Sequence, residues 1–339
     1  MQIDVALNAP LDEVAGMARR LFEAGADGGF TLEANRDVMF PLLQAATSEL
    51  YLYPNVAIAF PRSPMHLAYQ AWDLQRASGG RFAAGLGSQI RPHIEKRFGA
   101  RWDRPVRQMR QYVEALKAIF ATWQDGVPLD FHGDYHTLSL MTPMFLPGPL
   151  DSGVPPIWVG GLGPMMTRVA AEVADGLIVH PFNTERYLRE VTCPVVAEGL
   201  AASTRPRRAF SLVVDAIVCV YRNDLEQEQA AKQCRFNLAF YGSTPSYRVT
   251  LQTHGWQDLQ EELNRLSKAG RWDEMAGLVP DDLFEAVCVI GTPLEVAGLL
   301  RSRYDGIADR VAVSLPYQPA PGLVEELLGA FKDNEPQHA

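Results

Sequence analysis

The sequence predicts a (β/α)8 barrel, and three observations support this fold class. Eight short apolar runs occur along the 339 residues, and each is followed by a segment with helical periodicity. The links between runs and helices are short, which is typical of parallel strands joined by right-handed crossovers. No G-x-G-x-x-G follows the first strand, so the main rival, a doubly wound open sheet, has less support.

The predicted strands are mostly continuous apolar runs, as expected for parallel strands buried on both faces. In order, they cover Gln2–Asn8, Asp27–Glu33, Leu50–Phe60, Arg81–Leu86, Pro156–Gly160, Gly176–His180, Phe210–Val220 and Arg310–Leu315. The first seven helices are predicted over Pro10–Ala24, Val38–Thr47, Met65–Ala77, Arg104–Trp123, Pro164–Ala174, Thr184–Gly199 and Leu225–Phe240. The next helix is predicted to start at Thr292, because proline follows at the first helical position and Glu295 completes a capping box.

Two segments depart from the alternation. Residues 125–155 are rich in Gly and Pro, and residues 242–286 contain polar helices around Trp256–Ser267 and Trp272–Leu278. The barrel pattern resumes after each segment, so we interpret both as excursions from one barrel domain. The predicted domain covers residues 1–335.

Glycines cluster at the carboxyl end of the fourth strand. Gly79 and Gly80 end the preceding helix, and Gly85 and Gly87 remove side chains near the end of the strand. Ligands bind at the carboxyl ends of strands in parallel α/β folds, so we predict that this end and the loop Ser88 to His93 form the floor of a site. The alternative is that the glycines only relieve crowding at a barrel corner.

A second glycine cluster, Gly160-Gly161-Leu162-Gly163, follows the fifth strand and leads directly into a helix with Pro164 at its first position. Free backbone N–H groups and the helix dipole meet there, which predicts a site for a phosphate group. A plain glycine-rich turn is the alternative.

Glu33 and His180 end the second and sixth strands and would face the mouth of the barrel. Their positions make them candidates for catalysis or cofactor contact, although a mouth histidine can also be a structural hydrogen-bonding group. His132 and His136 flank Gly133-Asp134, which is a hairpin-turn signal, so a turn is favoured over a metal site.

Composition excludes several function classes. The net charge of -9 argues against a nucleic-acid or membrane-surface protein as a whole. The four cysteines show no metal-binding spacing, so we predict no metal site and a reducing compartment. The first eight residues are typical of a strand rather than a leader, and no apolar run is long enough to span a membrane. We therefore expect a soluble cytoplasmic protein.

One basic run contrasts with this acidic composition. Residues 91–110 contain six arginines and Lys96 against only Glu95 and Asp103, a local excess of +5. Such runs are usually solvated helix faces. Because this run follows the fourth strand, a polyanionic ligand tail is the alternative explanation.

Five motifs together resemble the bacterial-luciferase-like flavin and deazaflavin oxidoreductases, and specifically their coenzyme F420-dependent branch. They are R-S-P-M-H-L-A at 62–68, S-G-G-R-F-A-A-G-L-G-S-Q at 78–89, P-P-I-W-V-G-G-L-G-P at 155–164, A-D-G-L-I-V-H at 174–180 and G-T-P-L-E-V at 291–296. The resemblance implies a homodimeric (β/α)8 barrel whose mouth holds the ring of F420 or, alternatively, FMN.

The resemblance also implies roles for individual residues. Cofactor contacts are expected from the residues that match the phosphate loop, a non-prolyl cis peptide against the ring, and the loop beside the cofactor: Gly161, Leu162, Gly163, Asn55, Val56, Ser88, Gln89 and His93. Glu33 matches an acid near the ring, and His180 matches a position near the substrate. Family members that oxidise sugar alcohols have a histidine after that acid, whereas this chain has Ala34, which argues against sugar-phosphate oxidation.

Three functions are compatible with these features. The first is hydride transfer between coenzyme F420 and a small organic substrate, in which the protein orients the reactants and excludes water. The second is an FMN-dependent monooxygenase of the same superfamily. The third is a flavin-binding barrel without turnover.

Overall fold

The computed structural model describes residues 1–334 and contains the predicted barrel of eight parallel strands. We label the barrel strands β1 to β8 in chain order. They are β1 Gln2–Ala6, β2 Gly28–Thr31, β3 Tyr51–Pro54 with Ala57–Ile58, β4 Ala84–Gly87, β5 Ile157–Gly161, β6 Gly176–Val179, β7 Ser211–Val220 and β8 Arg310–Ser314.

Each strand pairs in parallel with its neighbours in sequence order, and β8 pairs with β1. Ala57–Ile58 and the bridge between Leu52 and Phe82 join β3 to β4 and close the ring. The prediction of a closed parallel barrel is therefore confirmed, and the carboxyl ends of all eight strands open at one mouth.

The barrel interior is filled by large side chains from alternate strand positions. Tyr53 and Trp158 lie at its centre, with ring centroids 5.1 Å apart. The other buried members of this inner cluster are Phe30, Ala83, Ile178, Val213 and Ala312. Side chains two residues further along each strand therefore point into the mouth.

A buried ion pair closes the amino end of the barrel. The Arg310 guanidinium on β8 donates two hydrogen bonds to the Asp4 carboxylate on β1, at 2.6 and 2.8 Å. The hydroxyl of Tyr53 donates a third, at 2.8 Å. Burial alone would lower the pKa of Arg310, but the Asp4 carboxylate overcomes this effect and raises it. A side chain at Gly28 would overlap the Asp4 carboxylate, so glycine is required there.

The helices surround the barrel in the predicted order. The main ones are Val14–Glu23, Phe40–Ala45, Pro64–Ala77, Pro105–Asp125, Pro164–Val173, Cys193–Ala202, Asp224–Gly242, Pro293–Tyr304 and Leu323–Asp333. The capping box at Thr292 and Glu295 is confirmed. The single helix predicted over Thr184–Gly199 is instead three segments, Glu185–Tyr187, a wider turn at Leu188–Thr192 and Cys193–Ala202, and Pro194 lies where the last of them begins.

Both excursions have structure of their own. The first contains a hairpin of Phe131–His132 and Thr137–Leu138, which confirms the turn predicted at Gly133-Asp134. The second contains helices at Arg248–Thr253, Gln257–Lys268, Trp272–Ala276 and Asp281–Val287, which pack with Asp224–Gly242 around a separate apolar cluster. The predicted domain end, residue 335, lies outside the described residues.

Within residues 1–334, no helix is long and apolar enough to cross a membrane. The same part of the chain contains no group of three or more His, Cys, Asp or Glu side chains placed to hold a metal ion. The four cysteines are free thiols, and three of them, Cys219, Cys234 and Cys288, are buried.

Candidate active site

The floor of the mouth is formed by two side chains that meet across the barrel. Asn55 follows the first part of β3, and Asp215 lies on β7, four strands away and thus on the opposite side. The Asn55 amide Nδ2 donates a 2.7 Å hydrogen bond to Asp215 Oδ2. The pair lies above the inner aromatic cluster and separates the packed interior from the mouth.

Val56 lies beside this pair, and the peptide bond between Asn55 and Val56 is cis, as the resemblance implied. A side chain at Gly87 would overlap that of Val56, and a Cβ at Gly160 would lie 2.9 Å from it. A side chain at Gly85 would overlap the carbonyl oxygen of Pro54.

These contacts favour the alternative interpretation of the glycines, which is relief of crowding inside the barrel. A ligand was expected to approach the backbone at Gly85 and Gly87, but the neighbours that require glycine there belong to the protein itself. Contact of either residue with a cofactor stays a prediction.

The loop after β5 has the geometry of an anion site. Gly163 is the N-cap of helix Pro164–Val173, and a Cβ at this position would have no atom within 4 Å. The first-turn N–H groups of Met165 and Met166 have no partner inside the helix and are directed towards its amino end. Leu162 is buried, and its carbonyl oxygen accepts a 2.8 Å hydrogen bond from the Tyr187 hydroxyl, which fixes the loop. The residues present therefore fit a phosphate group.

The loop after β4 places Ser88, Gln89 and His93 on the mouth side of the barrel. Gln89 has a positive φ of 58°, and its side chain accepts a hydrogen bond from the Ile90 N–H. His93 begins a short wide helical turn, and its Nδ1 is buried without a hydrogen-bond partner among the described residues. An unpaired buried nitrogen indicates a place for a ligand or water to bind.

His180 follows β6 and points into the mouth. Its Nδ1 accepts a 3.1 Å hydrogen bond from the Phe182 N–H, so the ring proton is on Nε2. The rings of Tyr247 and Tyr241 lie 4.2 and 4.7 Å from the imidazole, centroid to centroid. Burial lowers the pKa of His180 to about 3, so the imidazole is neutral near pH 7. It can donate a hydrogen bond to a ligand but carries no charge.

Asp215 is the second titratable group of the mouth. Its side chain is buried, and Oδ1 has no hydrogen bond of ordinary distance and angle among the described residues. Burial raises the pKa of Asp215 to about 6, against the smaller opposing effects of the Ser314 hydroxyl and the Asn55 amide. A buried carboxyl that titrates this close to neutral pH is typical of functional sites.

Comparison with known proteins identifies the family. The sequence profile of luciferase-like monooxygenases matches residues 2–310. The chain belongs to this family. An uncharacterized protein of Mycobacterium tuberculosis is 46% identical over 313 residues, 92% of each chain. The 5,10-methylenetetrahydromethanopterin reductase of Archaeoglobus fulgidus is 27% identical over 304 residues, 87% of this chain and 86% of that one.

The fold agrees with this assignment. The coenzyme F420-dependent tetrahydromethanopterin reductase of Methanopyrus kandleri superposes with a TM-score of 0.77 at 19% identity, covering 97% of this chain and 96% of that one. The predictions of a luciferase-like barrel and of a family with F420-dependent members are confirmed.

Glu33 lies at the mouth of this luciferase-like barrel, just beyond β2, but its carboxylate is fully engaged. Arg62 donates hydrogen bonds to both carboxylate oxygens at 2.8 Å, and the Ile58 N–H donates a third at 2.7 Å. Glu33 therefore fixes the end of β3 against β2. Its catalytic role stays a prediction, and these contacts favour a positioning role.

We expect Glu33→Gln to lower the free energy of unfolding by about 2 kcal/mol, because it leaves a largely buried Arg62 charge without its carboxylate. Urea unfolding at pH 7 measures the change. Glu49→Gln is the matched control, since Glu49 is 65% exposed and pairs with Arg81 only at 3.4 Å. A loss no larger than that of the control would show that the Glu33–Arg62 pair does not stabilise the mouth.

Much of the positive charge of the basic run is neutralised by neighbouring carboxylates in the folded protein. Five arginines pair with carboxylates, and two of these carboxylates lie outside the run. The pairs are Arg91 with Glu95, Arg101 and Arg104 with Asp103, Arg107 with Asp134 and Arg110 with Glu172. Lys96 and Arg97 are exposed and have no carboxylate partner among the described residues. Arg97 donates to the Ala34 carbonyl, so this part of the run lies at the mouth, beside the end of β2.

Sequence reasoning missed Asp215, Tyr241 and Tyr247. An acidic residue inside the apolar run Phe210–Val220 is a signal that could have identified Asp215. The two tyrosines come from a helix end and an excursion, and no local pattern connects them with His180. Only the fold brings them to the mouth.

Proposed function

We propose that this chain transfers a hydride between coenzyme F420 and a small, uncharged organic substrate. The observation that carries the proposal is the pairing of two anion-binding features at one mouth. One is the helix start at Gly163, and the other is the pair of exposed cations Lys96 and Arg97, which have no carboxylate partner in the described part of the chain. Coenzyme F420 carries a phosphate and a chain of glutamates, so it offers a partner to both.

Different residues around the mouth would bind the phosphate and the ring of the cofactor. Gly161, Leu162 and Gly163 would hold the phosphate through the loop and the helix start, while Asn55 and Val56 would support the ring from the floor. When bound, F420 supplies the carbon that accepts or donates the hydride. The protein contributes orientation and exclusion of water.

The wall beside His180 supports an uncharged substrate. Tyr241 and Tyr247 present aromatic surface there, and the imidazole is neutral near pH 7. Aromatic side chains with a hydrogen-bond donor favour planar, uncharged ligands that carry an acceptor. The position after Glu33 is Ala34 rather than histidine, which also argues against a sugar-phosphate substrate.

An FMN-dependent monooxygenase is the second candidate. The family description names monooxygenases, and the helix start at Gly163 would serve the phosphate of FMN equally well. FMN lacks the glutamate tail and therefore leaves Lys96 and Arg97 without a ligand.

Turnover assays distinguish the candidates. Dialysed protein is mixed anaerobically with reduced F420 and a panel of uncharged ketones, enones and imines, and the return of oxidised deazaflavin is followed by absorbance. Oxygen uptake is measured in parallel with reduced FMN. We expect F420 oxidation with at least one compound of the panel. Oxygen uptake that depends on FMN, with no F420 oxidation, would favour the monooxygenase, and no turnover with either would favour a flavin-binding barrel without activity.

The tail contact makes a separate prediction. Replacing Lys96 and Arg97 together by Ala should weaken binding of long-tailed F420 by about 1 kcal/mol, or about five-fold, because exposed charge pairs are individually weak. The loss should shrink at high salt, since charges are screened beyond about 8 Å at physiological ionic strength. Isothermal titration gives both values.

Arg91 and Arg101 provide the matched control, because both already pair with carboxylates. Their joint replacement by Ala should leave F420 affinity almost unchanged. Equal losses for long-tailed F420 and for a tail-less phosphorylated form would show that Lys96 and Arg97 do not contact the tail.

A further inference from the structure

The carboxylate of Asp215 is buried between opposite sides of the barrel, and no counter-ion for it lies among residues 1–334. The groups of the neighbouring elements that interact with it are Asn55, Ser314 and the tyrosines Tyr53, Tyr241 and Tyr304. None of these groups is positively charged near neutral pH. A buried carboxylate is costly to ionise in such surroundings, so stability alone does not explain its presence.

The two residues identified from sequence are poorly suited to exchange a proton with a substrate. Both oxygens of Glu33 accept hydrogen bonds from Arg62, so neither is free to contact a substrate. His180 is neutral, and its Nδ1 is occupied by the Phe182 N–H. Asp215 is the titratable group of the mouth that has a carboxylate oxygen without a hydrogen bond of ordinary distance and angle among residues 1–334.

Ser314 provides a connection between Asp215 and the mouth. It lies on the strand beside β7, paired with Ile217, so its side chain is on the same face as Asp215. Ser314 is partly exposed, whereas Asp215 is 2% exposed. A hydroxyl can accept a hydrogen bond from a ligand while it donates one to a carboxylate.

We propose that Asp215 is the proton-holding residue of the mouth and exchanges a proton with an O–H or N–H group of the substrate through the Ser314 hydroxyl. The inference rests on the proposed function and adds the substrate class: a compound with an O–H or N–H on the carbon that gives up hydride, or the matching C=O or C=N compound in reverse. Asp215 acts through Ser314 and is therefore a positioning residue rather than a contact residue.

The step balances in both directions. During oxidation, the C–H bond of the substrate breaks and its electron pair leaves with the hydrogen as hydride to oxidised F420. The O–H or N–H proton passes to Ser314, whose own proton passes to the Asp215 carboxylate, and a C=O or C=N bond forms. During reduction, each transfer runs backwards and Asp215 gives up its proton.

The protonation of Asp215 supports this role. Its raised pKa means that folding favours the protonated form, so the cost of ionising Asp215 is fully present above about pH 6 and disappears as the pH falls to the ordinary carboxyl value near 4. A group that gains and loses its proton near neutral pH suits reversible transfer.

The first test uses the cofactor-free protein. Asp215→Asn should raise the melting temperature at pH 8, and the gain should shrink progressively below pH 6, because the substitution removes the cost of a buried charge. Asp151→Asn is the control, since Asp151 is exposed. A stability difference that does not depend on pH would overturn the inference, whatever reaction the protein catalyses.

The second test uses kcat/KM with F420 between pH 5 and 8. Wild type should show a limb with a midpoint near 6, and Asp215→Asn should lose that limb and fall by about ten-fold or more. Ser314→Ala should also lower kcat/KM by about ten-fold or more, because it removes the hydroxyl through which the proton passes. The remaining activity should show a midpoint moved upward, because the Ser314 hydroxyl lowers the pKa of Asp215. If Asp215→Asn does not fold, the pH profile of kcat/KM for Ser314→Ala tests the proposal instead.

The outcomes separate the two proposals. An unchanged profile in Asp215→Asn, or an unmoved midpoint in Ser314→Ala, would overturn the role of Asp215. A wild-type protein that neither binds nor turns over F420 counts against the proposed function, while the stability measurement still decides whether Asp215 titrates near neutral pH.

Discussion

Gly163→Asp is expected to abolish binding of both F420 and FMN while the protein remains folded. A carboxylate at this N-cap would accept hydrogen bonds from the first-turn N–H groups that we assign to the phosphate. It would also repel the phosphate, by about 4 kcal/mol for unit charges about 4 Å apart near a protein surface. The two effects act together, so affinity should fall by at least about 100-fold.

Gly163→Ala is the matched control for this variant. Gly163 has an ordinary φ of -68°, and a Cβ there would meet no atom within 4 Å, so alanine should fit without strain. Isothermal titration should give near wild-type affinity for alanine and no measurable binding for aspartate. The melting temperature of the aspartate variant should be unchanged or slightly higher, since aspartate is a good N-cap. Cofactor affinity retained in Gly163→Asp would remove the phosphate site from this loop.

The largest stability loss is expected from Asp4→Asn. The side chain of Asp4 is fully buried and that of Arg310 is 7% exposed, so the substitution leaves a guanidinium charge uncompensated inside the barrel. Breaking a buried pair from one side costs about 3–5 kcal/mol. Urea unfolding at pH 7 should show a loss of this size.

Two further variants test whether the loss in Asp4→Asn comes from the uncompensated buried charge of Arg310. The double variant Asp4→Leu with Arg310→Met removes both charges and should recover much of the lost stability. Asp309→Asn breaks an exposed pair with Arg207 and should cost less than about 1 kcal/mol. A loss below 1 kcal/mol for Asp4→Asn would show that the ion pair does not hold the amino end of the barrel together.

The barrel was predictable because its signals are local. Apolar runs, helical periodicity and short links are read within about 15 residues, and they place all eight strands. The capping box at Thr292 and the helix start at Gly163 were predicted for the same reason. Strand ends were predicted too long at several positions, because the sequence does not show where pairing with the neighbouring strand stops. Glu33 and His180, for example, lie just beyond the strand ends at Thr31 and Val179.

The site was only partly predictable because its contacts join distant parts of the chain. Asn55 and Asp215 are 160 residues apart, and Asp4 and Arg310 are 306 apart. No local pattern specifies such pairs.

Gly85 and Gly87 on β4 likewise show that contacts between distant parts of the chain could not be predicted. Their positions were correctly identified, but the sequence could not show that Val56 rather than a ligand fills the space at Gly87. The sequence also could not show that carboxylates outside the basic run neutralise part of its charge. The partner of Arg107 lies in an excursion, and that of Arg110 lies on a later helix.

The most direct test of the F420 assignment is a paired titration of the cofactor-free protein with long-tailed F420 and with FMN, at low and at physiological salt. We expect F420 to bind at least about five-fold more tightly than FMN at low salt, with an advantage that narrows as salt screens Lys96 and Arg97. FMN affinity should change much less. Equal or tighter binding of FMN at both salt concentrations would contradict an F420-dependent function and favour the monooxygenase.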